Sequence, residues 1–216
     1  DDYATFTYSD VSCSSTCEMV YNFIEMLDET DKISPEIASA LYLGIMTDTG
    51  SFRFSSTTSK THRVIANLID KGAKNANIHQ DTFDNSSYER MQLLGVALNN
   101  MKVFSEYKTA YITLSQEELD KHNFKKGDTE GFVNYSLGIK GIIFAAIFIE
   151  NKADKIIKIS LRSKGDFDVN QFARKHFEGG GHINAAGGKS DLNLKETTQK
   201  FEQLLADYGN ELKNEA

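Results

Sequence analysis

The chain has 216 residues, 40% of them hydrophobic and 25% charged, with a formal net charge of −7, a composition ordinary for a globular protein with room for two modest cores. That balance excludes a protein built to coat long nucleic acid, because a broad basic surface supplies most of the binding free energy there. No apolar run approaches the ~20 residues of a membrane span.

The chain opens on Asp1-Asp2-Tyr3, which reads as the interior of a domain whose beginning lies upstream. Cys13 and Cys17 sit four apart with no second pair, which on a helix suggests buried thiols in a reducing cytosol and supports neither a disulfide framework nor a zinc site. Ser15, with Glu18 three residues on, is a helix start, and Met19, Val20, Phe23, Ile24 and Leu27 follow at helical spacing. Ser34-Pro35-Glu36 opens the next helix with a capping hydroxyl, a proline at the first position and an acid in the first turn. Its buried stripe is expected from Ile37, Ala38, Leu41, Ile45 and Met46, and Thr49-Gly50 ends it just after Asp48. A carboxylate there faces the negative end of the helix dipole. Asp48 therefore calls for a cation, and the structural alternatives are an ion pair with Arg53 or a solvated loop position.

Thr57 or Thr58 caps a third helix that runs to Gly72. His62 and His79 have no carboxylate or cysteine at ligand spacing and read as packing or surface residues. A helix from Ser87 to Met101 carries Met91, Leu94, Leu98 and Met101 on one side, fit either to connect two domains or to pair with its copy in a homodimer. From Lys102 the period switches to two. Val103-Phe104 and Thr109–Leu114 form a hairpin, Ser115 to Glu118 is a capping box, and Gly141–Ile149 is a central buried strand returning antiparallel through Lys155–Leu161. A last helix spans about Leu194 to Leu212.

Between these lies Glu178-Gly179-Gly180-Gly181-His182, followed by Ala185-Ala186-Gly187-Gly188. Such a segment offers mostly backbone, so consecutive N–H groups can converge on an anion, and His182 adds a donor. Alone, a glycine triplet is more often a flexible turn. Lys140, Lys155, Lys158, Arg162, Lys164, Arg174, Lys175 and His176 crowd the same region, interleaved with acids.

Taken in order, Arg162-Ser163, the helix opened by Asp168-Val169-Asn170, the Gly-Gly-Gly-His run and Ala185-Ala186-Gly187 resemble the DHH-associated domain of the DHH phosphoesterase superfamily. Asp128–Asn134 and Leu43–Phe52, the latter containing Thr47-Asp48-Thr49-Gly50, are similar to the same family's patterns. Within the superfamily the sequence looks most like the small bacterial oligoribonucleases and phosphoadenosine-phosphate phosphatases. The resemblance implies an α/β protein in three parts: the C-terminal remnant of an α/β DHH domain over 1–85, a connecting helix over 86–101, and an α/β substrate-binding domain with a mixed sheet over 102–216. It implies Asp48 as the last metal-binding aspartate of a two-ion manganese centre, whose hard carboxylates suit that ion. It implies a substrate clamp of Asn134, Arg162, Ser163, Gly179, Gly180, Gly181 and His182.

The family's Asp-His-His motif is not in this sequence, so most of the catalytic centre is expected outside it. The expected activity of the intact protein is metal-dependent hydrolysis of short RNA or of 3′-phosphoadenosine 5′-phosphate, with the 216-residue chain inactive alone. Alternatives are a cyclic- or linear-dinucleotide phosphodiesterase, a single-strand DNA exonuclease of the same superfamily, and a nucleotide- or RNA-binding module without catalysis.

Overall fold

The computed structural model describes Thr5 and residues 7–214; the opening Asp1-Asp2-Tyr3, read above as domain interior, lies outside the described residues. Contacts divide the chain into two compact units, Asp1–Asn85 and Ser86–Ala216.

Among the described residues the first unit is helical, built from α1 (Thr16–Met26), α2 (Pro35–Asp48), α3 (Ser59–Asp70) and α4 (Asn75–Phe83). The caps fall where hydroxyls precede apolar periodicity: Ser15, Ser34 and Thr58 each accept the N–H three residues on. The face α1 buries differs from its apolar stripe. Glu18, Tyr21 and Asn22 turn inward while Val20, Phe23 and Leu27 are exposed. The cause is the Glu18 carboxylate, which accepts the Ser14 N–H, the Ser14 hydroxyl and the Thr61 hydroxyl of α3. A buried carboxylate must find donors, and meeting Thr61 rotates the helix toward them. On α2 the buried stripe is Ala38, Leu41, Tyr42, Ile45 and Met46, whereas Ile37 is 45% exposed. Gly44 is required where α1 crosses, because a Cβ there would lie 2.2 Å from Cys17 Sγ. Cys13 and Cys17, expected as buried thiols, are both only half-buried.

The second unit holds α5 (Tyr88–Asn99), β1 (Lys102–Phe104), β2 (Thr109–Leu114), α6 (Gln116–Lys121), α7 (Phe132–Leu137), β3 (Phe144–Asn151), β4 (Ile156–Ser163), α8 (Val169–His176), β5 (Gly180–His182), β6 (Ala185–Ser190), α9 (Leu194–Asp207) and α10 (Gly209–Asn214). Its mixed sheet has the order β1-β2-β3-β4-β6-β5. The β2–β3 pair is parallel and the other neighbours are antiparallel. The expected last helix is broken at Tyr208 into α9 and α10.

Alternation along the strands sends residues to two different cores. Ile157, Ile159, Leu161 and Ala186 join Phe172 of α8 and Phe201 of α9 on one face. There Phe201 meets Phe144, Phe148 and Tyr111 with ring centroids 5.4, 5.1 and 5.7 Å away, contacts worth about 0.5–1.5 kcal/mol each beyond area burial. On the other face Ala145 and Ile147 of β3 meet Leu93, Leu94 and Ala97 of α5, Leu119 of α6 and Phe132 of α7. The helix expected to connect two domains is thus a core element of the second unit. Its buried side is Leu93, Leu94 and Ala97, while Met91 and Leu98 are exposed.

Candidate functional site

Register places Ala145, Arg162, Ala185 and His182 in one row across β3, β4, β6 and β5, and Ile147, Ser160, Gly187 and Gly180 in the next. Paired residues share a sheet face. Under the helices of this face the rows carry Ala145 and Ile147, fully or almost fully buried. Beyond β3 they continue as Ser160 and Arg162, then alanine and glycine, half-buried, and end on exposed His182. The result is a shelf with almost no side chain and a cation set into it.

Arg162 is that cation. Small residues flank it on both sides, Ala145 and Ala185, and its Nη1 donates to the Leu161 carbonyl at 2.9 Å. Burial pushes the guanidinium down from its ordinary value, with the Glu130 charge acting the other way. Among the described ion pairs none involves Arg162. Desolvating a cation without a bonded counter-charge is unfavourable unless an anion is supplied. The Glu130 loop is fixed by Arg90 of α5, which donates to the Asp128 and Glu130 carbonyls at 2.6 and 2.9 Å and lies over the Phe132 ring at 4.9 Å. This sets the start of α7, on which Asn134 is exposed.

Ser163 sits differently from its neighbour. Its hydroxyl is buried, donates to the Phe167 carbonyl at 2.6 Å and accepts from Asn184 Nδ2 at 2.9 Å. In this conformation it locks the β5–β6 turn to the end of β4, an arrangement Asn184 completes through Gly165 O at 2.9 Å and Val169 through Ile183 O at 2.8 Å.

The glycine triplet is neither a flexible turn nor a loop of converging N–H groups. Gly180 and Gly181 are extended in β5, the outer strand of the sheet, and successive amides of a strand point to opposite sides. Close approach explains Gly179, where a Cβ would lie 2.0 Å from Gly187 O. The Gly181 N–H is taken by Asn170 Oδ1 at 2.9 Å, and the same oxygen accepts Arg174 Nε at 3.0 Å. Sequence reasoning left Asn170 and Arg174 without individual roles. The signal was present in their spacing: i and i+4 on one short helix just before the glycines.

Asp48 lies in the first unit, exposed at the last position of α2. The ion pair with Arg53 is not formed; Arg53 Nε donates to the Gly50 carbonyl at 2.7 Å instead. After Asp48 the chain makes a left-handed turn with φ of 57°, 61° and 65° at Gly50, Ser51 and Phe52. Left-handed backbone costs roughly 1–2 kcal/mol at each non-glycine residue. Thr49 holds it by accepting the Phe52 N–H at 3.0 Å while donating to Ile45 O at 2.7 Å. Phe52 packs against Tyr42, His62 and His79 with centroids 5.8, 6.0 and 6.4 Å away, and Tyr42 Oη bonds His79 Nε2 at 3.2 Å. Both histidines therefore have packing roles. Among the described residues no three of His, Cys, Asp and Glu come together to hold a metal. A two-ion manganese centre does not fit these residues by themselves. Nor is any helix among them long and apolar enough to cross a membrane.

Residues 106–213 match the DHHA1 domain. The chain is 32% identical over 204 residues to a probable bifunctional oligoribonuclease and PAP phosphatase NrnA of Streptococcus mutans, covering 94% of this chain and 63% of that protein. It is 30% identical over 188 residues to the bifunctional oligoribonuclease and PAP phosphatase NrnA of Bacillus subtilis, covering 87% and 58%. The crystal structure of an exopolyphosphatase-related protein from Bacteroides fragilis superposes with a TM-score of 0.95 at 39% identity, over 99% of this chain and 62% of that one. The chain thus spans about three fifths of the length of these relatives. With half its length matched by one domain, the chain belongs to the DHHA1 family of the DHH superfamily.

Proposed function

We propose that the intact protein is a manganese-dependent phosphoesterase acting on short oligoribonucleotides or 3′-phosphoadenosine 5′-phosphate, and that this chain carries its substrate-binding half. The observation that carries the reading is Arg162: a guanidinium set into the sheet, with no carboxylate bonded to it among the described residues, beside a shelf whose small residues leave room for a planar base. Arginine presents a planar fork suited to phosphate oxygens. His182, in the same row at the rim, and Asn134 on α7 supply further donors. Gly180 and Gly187 keep the surface between them low. Ser163 acts on the substrate indirectly, by holding the β5–β6 turn. The names of the relatives, two of them oligoribonucleases and PAP phosphatases, support this substrate class.

Asp48 is proposed as one carboxylate ligand of the metal centre, the remaining ligands lying outside the described residues. Its exposure, its lack of a cationic partner among the described residues and the strained turn behind it are what support this role.

The test compares Arg162→Lys and His182→Ala in the intact protein on a dinucleotide and on bis-p-nitrophenyl phosphate, which has no distal phosphate or base. Charged hydrogen bonds of this kind are worth roughly 1.5–3 kcal/mol, so kcat/KM for the dinucleotide should fall about ten- to a hundredfold. Hydrolysis of the small ester should hardly change. Equal losses on both substrates would assign these residues to folding or to the metal centre and remove the shelf from substrate binding.

A further inference from the structure

Arg174 starts on α8, the helix packed on the opposite face through Val169, Phe172 and Ala173, and reaches the outer strand. There its guanidinium lies flat against Gly180. A Cβ on that glycine would be 3.5 Å from Nη2 and 3.6 Å from both Cζ and Nε, three near-equal distances that turn the face of the group toward the space the missing Cβ leaves. Asn170 Oδ1 fixes it through Nε, and among the described residues neither terminal nitrogen has a hydrogen-bond partner. Arg174 takes part in none of the described ion pairs.

Gly180 stands in the row of Gly187 and Ser160, one row along from Arg162. Two strand spacings and one dipeptide repeat put the backbones of Arg162 and Gly180 about 12 Å apart, a gap that one nucleoside and two arginine side chains can bridge. We propose that Arg174 is a second phosphate-holding residue of the shelf, so that the site selects ligands with two phosphates on one nucleoside or flanking it, one held at Arg162 and the other at Arg174. This rests on the nucleotide reading above. It adds a residue and a ligand requirement to it: a monophosphate uses half the site.

The intact protein, kept in a chelator so that nothing turns over, is titrated calorimetrically with adenosine 5′-monophosphate and with adenosine 3′,5′-bisphosphate. Wild type should prefer the bisphosphate. R174Q should lose about tenfold or more of its bisphosphate affinity while its monophosphate affinity stays within about twofold, erasing the preference. R174K, which keeps the charge but not the fork, should recover only part of it. If R174Q weakens both ligands equally, or neither, Arg174 is a structural brace of the strand and the inference is overturned, with the effect of Arg162→Lys left standing. If Arg162→Lys changes binding of neither ligand, the nucleotide reading fails and this inference fails with it.

Discussion

Two glycines of the same hairpin should respond in opposite ways to one added methyl group. A Cβ on Gly187 would meet only Ile159 O, at 3.5 Å, an ordinary contact. Its strand backbone suits alanine, so Gly187→Ala should stabilise the fold by about 0.4–1 kcal/mol through the less flexible unfolded chain. On Gly179 the same atom would lie 2.0 Å from Gly187 O and 2.7 Å from Gly188 Cα. Backbone cannot rotate away as a side chain can, so the hairpin must open, at a cost of about 1–3 kcal/mol. At roughly 3–5 °C per kcal/mol for a unit of this size, the two variants should unfold about 4–20 °C apart. The Gly187 methyl also rises into the shelf, in the row of Ser160 and Gly180. The assay is scanning calorimetry of the intact variants, then titration with adenosine 5′-monophosphate in chelator. Gly187→Ala should be the more stable protein and bind about tenfold more weakly. A Gly187→Ala protein as unstable as Gly179→Ala would refute the packing argument, and a stable one with unchanged affinity would show that the ligand lies elsewhere.

Three further outcomes are expected. Asp48→Asn in the intact protein keeps shape and removes charge, so turnover should fall far more than substrate affinity; near-normal turnover would mean Asp48 binds no metal. Arg162→Met removes a desolvated cation with no bonded counter-ion, so the ligand-free protein should melt at least as high as wild type, while nucleotide no longer raises its melting temperature; a large drop in melting temperature would show that the cation is balanced within the fold. His176 is pushed below its ordinary value of 6.5 by burial first, then by Lys175 and Lys200. The unfolded chain therefore binds the proton more readily, and the stability contributed is complete above about pH 6.5 and is lost as pH falls through the lower folded value. Melting temperature should drop on acidification from pH 7 to 5, and a slope unchanged in His176→Gln would contradict this assignment.

Local chemistry made much of the fold legible. Ser34-Pro35, Ser87, the Ser115/Glu118 box and Asp168 start helices where they stand because each hydroxyl or carboxylate answers an orphan N–H within its own turn. Three features depended on partners far along the chain. The outward turn of Val20 and Phe23 follows from a buried carboxylate meeting Thr61, 43 residues on. The parallel β2–β3 pair carries no turn to announce it. The strand at Gly180–His182 has no alternating side chains, so periodicity is silent there and the glycines read as loop. Of the candidate site, Arg162 was singled out only through the resemblance of its Arg-Ser pair and the glycine run to a family pattern. Arg174 was not, since its direction is decided by the missing side chain of a residue six positions later.

The strand that carries those glycines also has a free flank. The last strand of a sheet is a template on which another chain can extend the hydrogen-bonded ladder, the first step toward aggregation. Here the template is three residues long; the Gly181 amide is already spent on Asn170 and a guanidinium lies over Gly180. The two side chains that hold this edge, Asn170 and Arg174, thus also blunt it against other strands. Removing Asn170 would expose glycine backbone with nothing bulky to deter pairing, and self-association on storage is the form that loss would take.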